Sequence, residues 1–283
     1  MNKKIAIMSD SSSLIYAVKH NYKNIFSIDL PCFIGDERFA DFEKNGNAVF
    51  FEALRNTNEI ARTSQPSVGE TMDMYTKIRN LGYTDIIYLP ISKELSGTYQ
   101  NAHLAKDLIE GVDVTIVDTL TTVSILGEMV LLSAKMAAEN KDVEEIVKAV
   151  EELKDKWGFY VTVNDLTSLV KNGRLSNAKG FIANLLKIKP LIKFTQDGKL
   201  NAIQNIRTFK SALKAVADMV LNEVNPNNSK VFILYTDNVE DVEFVKEIVL
   251  AKYPKLNITI DSLSPTIVAH LGMAALGVGY INY

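Results

Sequence analysis

Residues 85–109 read DIIYLPISKELSGTYQNAHLAKDLI, and three kinds of local structure follow one another in that stretch. Asp85 to Ile91 is nearly continuous apolar sequence rich in isoleucine, the pattern of a strand buried on both faces. SKELSGT (92–98) breaks it with polar residues, and the run behind it reads as a helix. A strand that hands over to a helix through a short polar loop is the repeating unit of a parallel sheet. The same grammar recurs in KIAIM (4–8) before SDSSS (9–13), in IFSIDL (25–30), and in VDVTIV (112–117) before DTLTT (118–122). LIYAVKHN (14–21) reads as the first helix, with His20 in its last turn, where the helix dipole favours it. Parallel sheets bind ligands at the loops leaving the carboxyl ends of their strands. Ser9–Ser13, residues 92–98 and residues 118–122 are therefore the places to look for chemistry.

Upstream of that stretch lies ARTSQPSVGE (61–70). Ser67 followed by Glu70 is a capping box, and Met74, Ile78 and Leu81 continue it as an amphipathic helix ending at Gly82. Pro66 keeps the preceding residues extended, which leaves Thr63 and Ser64 as hydroxyls without a capping task. A charged amphipathic helix from Asp142 to about Trp157 marks a boundary. After it FYVTV (159–163) reads as a strand, LTSLVKNG (166–173) as a short helix, and PLIKFTQDGKLNAIQNI (190–206) as a hairpin turning at Asp197-Gly198. The expected fold is α/β with two domains: a parallel-sheet α/β/α domain over 1–156 and a mixed-sheet α/β domain over 157–283.

Composition narrows the function. The 283 residues carry a net charge of −3, which gives no basic footprint for nucleic acid. A single cysteine, Cys32, rules out an intrachain disulfide and fits a reducing compartment. No apolar run is long enough to span a membrane, so a cytoplasmic protein is expected. His20, His103 and His270 show no metal-ligand spacing, and the sequence has no phosphate-loop, dinucleotide or nucleophile-elbow motif. Asp10-Ser11-Ser12 lacks the second aspartate of an aspartate-based phosphatase. Ser96 and Thr98 stand where a strand meets a helix; they either cap that helix or face an anion there, with Gly97 letting a ligand approach the backbone. His270 sits among apolar residues as a core histidine or a site histidine, and Arg174 and Arg207 are surface charges unless something gathers them. An enzyme would use Ser96 as nucleophile and His270 as base, giving an esterase or thioesterase for acyl substrates.

TSQPS (63–67), LSGTYQNA (95–102), LTSLVKNGRLS (166–176), KIKPLIKFTQDGKL (187–200), Arg207 and HLGMAALGVGY (270–280) stand in the order seen in DegV proteins. This is the bacterial fatty-acid-binding family also called FakB, and the sequence resembles it over essentially its whole length. The resemblance implies one fatty acid held between two α/β domains, with no other cofactor and no metal. Hydroxyls matching Thr63 and Ser96 would hold the carboxylate, with His270 nearby and Ser64, Gly97 and Thr98 around them. The acyl chain would run into an apolar tunnel, mostly in the second domain. FIANLLKIKPLIKF offers Phe181, Ile182, Leu185, Leu186, Ile192 and Phe194 for it, core packing being the other use of each. The family presents its fatty acid to a separate kinase that makes the acyl phosphate, so the implied role is a carrier and not a catalyst. Arg174 and Arg207 match family arginines near the site entrance, the latter implied in kinase engagement; membrane contact would be transient, without insertion. Three departures stand out: Asn172-Gly173-Arg174 for Gly-Gly-Arg, His270-Leu271-Gly272-Met273-Ala274 for His-x-Gly-Pro-Gly, and Asp118-Thr119 for Asp-Ser. For a site of this kind, a His270 donor with a pKa near neutrality is expected.

Overall fold

The structure is a computed structural model and describes residues 3–41, 46–178 and 188–283. In chain order it forms β1 (Ile5–Asp10), β2 (Ile25–Ile28), β3 (Cys32–Ile34), β4 (Glu37–Phe39), α1 (Gly46–Arg55), β5 (Arg62–Thr63) and α2 (Val68–Asn80). There follow β6 (Asp85–Leu89), α3 (Thr98–Lys106), β7 (Asp113–Ile116), α4 (Val123–Ala138) and α5 (Val143–Leu153). The second half contains β8 (Trp157–Val163), α6 (Thr167–Lys171), β9 (Lys189–Phe194), β10 (Leu200–Ile206) and α7 (Phe209–Glu223). It closes with β11 (Ser229–Tyr235), α8 (Val239–Lys252), β12 (Asn257–Ser262), α9 (Pro265–Leu271) and β13 (Ala275–Asn282).

Two sheets carry the α/β fold. The first is parallel, in the order β2-β1-β6-β7; the second is mixed, in the order β10-β9-β8-β13-β11-β12. Side chains alternate across each, as the two-residue period of a strand requires. Ala6 and Met8 pack under Tyr75, Ile78 and Ala102 on the α2–α3 side, while Ile5 and Ile7 face α4. On the mixed sheet Phe159 and Val161 face inward, and Tyr160 faces the layer built by α7 and α8. α4 thus lies between the two sheets, which explains a sequence, VSILGEMVLLSAKMAA, that is apolar nearly all round. Gly127 lets it come close: a Cβ there would sit 2.7 Å from the Ser13 carbonyl oxygen.

Three expectations are corrected. LIYAVKHN is not an α-helix: it holds only the 3-10 turn Ile15–Ala17, set off from the preceding 3-10 turn Ser11–Ser13 by Leu14 at φ +56°. The polar groups around it take the backbone elsewhere. Asp10 accepts from the Ser12 N–H and hydroxyl, Ser13 donates to the Asp10 carbonyl, and Ser11 accepts from the Leu30 N–H. His20 therefore has no helix terminus to serve. In α2 the capping box forms as read, but the buried stripe is Thr71, Tyr75 and Ile78, and Leu81 is 53% exposed. α5 stops at Leu153, and Trp157 opens β8 instead of closing the helix. A small antiparallel sheet, β4-β3-β5, was not foreshadowed by any strand-length apolar run.

The β9–β10 hairpin turns at Asp197-Gly198, and its tip docks on the first half of the chain. Ser92 donates to the Gly198 carbonyl at 2.9 Å, and Lys199 pairs with Glu94 at 3.5 Å. Gly198 has φ +84°, and a Cβ there would overlap the Ser92 hydroxyl. Gly198→Ala is therefore expected to lower stability by more than about 1 kcal/mol. Urea unfolding of the variant beside the unsubstituted protein measures it.

Candidate functional site

A cleft opens between the two sheets, with about 680 Å³ of space not filled by atoms, its mouth included. Its walls are mostly apolar, from Leu30 and Ile91 on one side and Phe159, Val161, Phe194 and Leu200 on the other. The polar residues that line it are Thr63, Ser64, Ser96, Thr122, Arg174, Thr266 and His270. Six of the sequence-predicted site residues, five of these polar ones and Phe194, thus meet around one cavity, although they are spread over more than 200 positions.

Thr63 reaches the cleft from β5, which pairs with β3 through Cys32. The segment behind it is tied to α3: Asn101 donates to the Pro66 carbonyl at 2.8 Å and accepts from the Thr71 hydroxyl at 3.0 Å. Ser96 and Thr63 therefore approach the same mouth on two elements locked to each other. Gln65 covers Gly97, where a Cβ would lie 3.0 Å from its amide carbon, so the closest neighbour of that glycine is a protein side chain. Ser64 is an exposed lining residue whose N–H donates to the Pro31 carbonyl. Ser96 does not serve as the N-cap of α3; Gly97 holds that position without a side-chain cap bond. The Ser96 hydroxyl shares a 2.8 Å hydrogen bond with that of Thr98 and accepts from the Thr98 N–H at 3.3 Å.

His270 lies in the last turn of α9, and its Nε2 is 2.7 Å from Thr63 Oγ1. Its Nδ1 is buried without a hydrogen-bond partner among the described residues. A buried N–H without an acceptor costs more than a bare ring nitrogen, so the proton belongs on Nε2, which donates to Thr63. The Thr63 hydroxyl hydrogen is then free to point into the cleft. Burial, with the Arg174 charge added, pushes the His270 pKa down to about 3. The expectation of a value near neutrality is corrected: the imidazole is neutral because desolvation and the Arg174 charge both disfavour its protonated form.

α9 is held at several points. Asp41 accepts from the Thr266 N–H at 3.0 Å, and the Thr266 hydroxyl donates to the Leu30 carbonyl at 3.1 Å. Asn172 donates to the carbonyls of Ala61 and Ala269, both at 3.0 Å, and so fastens the strand bearing Thr63 to the helix bearing His270. Its position was visible in the sequence only as a departure from Gly-Gly-Arg. The turn after α9 keeps left-handed backbone at Gly272 (φ +76°) and, despite its side chain, at Ala274 (φ +55°). Arg174 follows Gly173, itself at φ +70°, and donates to the Leu95 and Asn172 carbonyls.

The remaining predicted residues divide. Phe194 lines the cleft, whereas Ile192, two residues back on the same face, packs in the core between the sheets and not among the lining residues. Phe181, Ile182, Leu185 and Leu186 lie outside the described residues. Arg207 is exposed just past Ile206, at the opposite end of β10 from Leu200, and does not join the cleft. The cleft is walled by both halves of the chain. Thr122 and Thr266 escaped notice as individual site residues; for Thr122 the signal was its place in a strand-end loop. Among the described residues no cluster of His, Cys, Asp or Glu could hold a metal, and no helix is long and apolar enough to cross a membrane.

Two measurements probe this arrangement. Asn172→Ala removes both bridging hydrogen bonds and is expected to lower stability by about 1–3 kcal/mol, read by denaturant unfolding. In an NMR pH titration the His270 ring is expected to stay neutral through pH 5. Titration of that ring near 6.5 would contradict its burial.

The DegV family model, described as "Uncharacterised protein, DegV family", matches residues 4–283. A DegV domain-containing protein of Staphylococcus aureus is 31% identical over 282 residues, covering 99% of this chain and 98% of its own. The crystal structure of a fatty acid binding DegV family protein from Streptococcus agalactiae superposes with a TM-score of 0.91 at 28% identity, covering 99% of each chain. The Streptococcus pneumoniae Fatty Acid Kinase (Fak) B3 protein loaded with linoleic acid shares the fold, with a TM-score of 0.85 at 22% identity over 99% of this chain and 100% of its own. The family match runs through every element that builds the cleft, and the protein belongs to the DegV family.

Proposed function

We propose that the protein is a fatty-acid carrier. It holds one fatty acid in the cleft between its sheets and presents the carboxylate to a separate kinase, in the cytoplasm. The observation that carries this reading is the Thr63–His270 hydrogen bond, which with Ser96 lines a mostly apolar cleft. Binding to a fatty acid by the Streptococcus agalactiae relative supports it. On this reading residues 1–156 carry the carboxylate loops and residues 157–283 supply the larger part of the acyl wall.

A long acyl chain gains about 0.8 kcal/mol for each methylene moved out of water, so affinity comes from the tail. The carboxylate is the difficult end, because an unpaired buried anion is very costly. The hydroxyls of Thr63 and Ser96 would satisfy it as donors, and His270, donating to Thr63, fixes which way that hydroxyl points. Arg174 is the one Lys or Arg among the described residues that lines the cleft, and its guanidinium is engaged by the Leu95 and Asn172 carbonyls. The acid therefore meets donors without a countercharge clamped on it and keeps its nucleophilicity toward a phosphoryl group that the kinase would bring. Arg207, exposed and outside the cleft lining, suits contact with that kinase. An esterase would need Ser96 against His270; instead Ser96 bonds Thr98 and His270 bonds Thr63.

Native mass spectrometry of protein purified from a bacterial host is expected to show a co-purified fatty acid, with its mass giving the chain length. Ser96→Ala and Thr63→Val should each weaken fatty-acid binding about 10–100-fold, the worth of a hydrogen bond to a charged group. They should also slow acyl-phosphate formation when a fatty acid kinase and ATP are added. Protein that carries no acyl chain and takes up none, or variants that bind as tightly as the parent, would overturn the reading.

A further inference from the structure

The loop from β7 into α4 has no part in the carboxylate site, yet it ends in the same cleft. Thr122 and Val123 both line it. Thr122 is the N-cap residue of the sixteen-residue α4, but its side chain makes no capping bond. Thr122 is only 6% exposed, and its hydroxyl is shielded from solvent without a hydrogen-bond partner among the described residues. The hydroxyl of Ser124, in the first turn, is buried and unpartnered in the same way. Such a group forfeits its hydration for nothing in return, and the first turn of any helix adds backbone N–H donors with no partner inside the helix. Val123 reaches this place at φ +50°, a conformation rarely held by a β-branched residue.

We propose that Thr122 and the first turn of α4 form a second polar subsite in the cleft, which receives a neutral oxygen substituent, a hydroxyl or keto group, on the hydrocarbon chain of the bound acid. The inference rests on the fatty-acid reading and adds to it a class of ligand. The chemistry selects a neutral oxygen. Ile91, Phe159 and Val161 share the cleft lining with Thr122, and an anion set among them would lose more hydration than one hydroxyl restores. A hydroxyl or ketone has a small hydration penalty, accepts from Thr122 or the helix N–H groups, and a hydroxyl can also donate to Thr122. Thr122 is not hydrogen-bonded to Thr63, Ser96 or His270, and it comes from the end of β7, whereas Ser96 follows β6. Both places line one cleft, and the proposal assigns them to different atoms of one ligand. A plain chain would leave the Thr122 hydroxyl unpaired, which is the asymmetry that lets a buried polar group discriminate strongly between ligands that carry and lack its partner.

The test compares hexadecanoic acid with its monohydroxy isomers, the hydroxyl moved stepwise along the chain, on the full-length protein. Dissociation constants are measured for the parent, Thr122→Val and Thr122→Ser, each normalised to that variant's affinity for hexadecanoic acid. In the parent, one narrow range of hydroxyl positions is expected to bind roughly tenfold better than neighbouring positions. Thr122→Val should flatten that maximum and Thr122→Ser should keep it. A flat profile in the parent, or a maximum unchanged in Thr122→Val, overturns the subsite while leaving the carrier reading intact. Failure of the parent to bind hexadecanoic acid and every isomer overturns the carrier reading and the subsite with it.

Discussion

The 2.7 Å hydrogen bond between Thr63 Oγ1 and His270 Nε2 joins residues 207 positions apart, on a two-residue strand and a seven-residue helix. Neither element is long enough to fix its own place, so the bond depends on what surrounds both. β5 is held by β3 and by the capped start of α2. α9 is held by Asp41 at its first turn and by Asn172 near its last. Asn172 touches both sides at once, and its two carbonyl partners lie two residues before Thr63 and one before His270. A glycine at that position could not make this connection; here a side chain fastens the pair.

The cleft has a second requirement, that the two sheets stay at a fixed separation. The core between them is continuous from Ile7 and Leu89 through α4 to Phe159 and Phe232, so parting the sheets would expose apolar surface on both sides of α4. At the edge of that layer Lys230 donates to Glu128 at 2.6 Å and the Tyr283 hydroxyl donates to the same carboxylate at 2.7 Å. Both charges of the ion pair are largely buried, so losing either partner would strand the other. The hairpin tip at Gly198 closes the seam from another direction. A narrow apolar slot survives because packing and polar pins fix its walls from several sides.

Much of the architecture was legible because it follows from period and punctuation. The buried strands 5–10 and 85–89, the capping boxes at Ser67 and Asp142, and the Asp197-Gly198 hairpin all announce themselves locally. The segment 14–21 misled because its apolar residues resemble a helix face, whereas the outcome was set by side chains outside it, from Asp10 to Ser13. The β4-β3-β5 sheet was illegible for a related reason: strands of two or three residues carry no periodic signal. Of the site, Thr63, Ser96 and His270 were found through a family resemblance, since nothing local in HLGMAALGVGY distinguishes a site histidine from a core one. The depressed His270 pKa is a property of enclosure by distant elements, and no window of sequence contains it.

The depressed pKa of His270 bears on how the fold responds to acid. His270 folds as a neutral base with a pKa of about 3, below its ordinary value of 6.5. Its neutral burial is fully compatible with the fold above 6.5, and stability is lost as pH falls from there toward 3. Asp10 and Asp29 act in the opposite sense. Burial raises both to about 6, so their contribution is fully present below the ordinary value near 3.8 and is lost as pH rises through 6. Between about pH 4 and 6 the two effects oppose each other, and His270 offsets part of the slope that the two aspartates would give. A carboxylate bound against Thr63 would change one side of this balance only. Its negative charge favours a protonated imidazole and would move His270 upward, while Asp10, engaged by Ser12 and the Ile91 N–H, does not line the cleft. The enclosure that keeps His270 neutral is thus separate from the burial that raises Asp10, which lies outside the cleft lining.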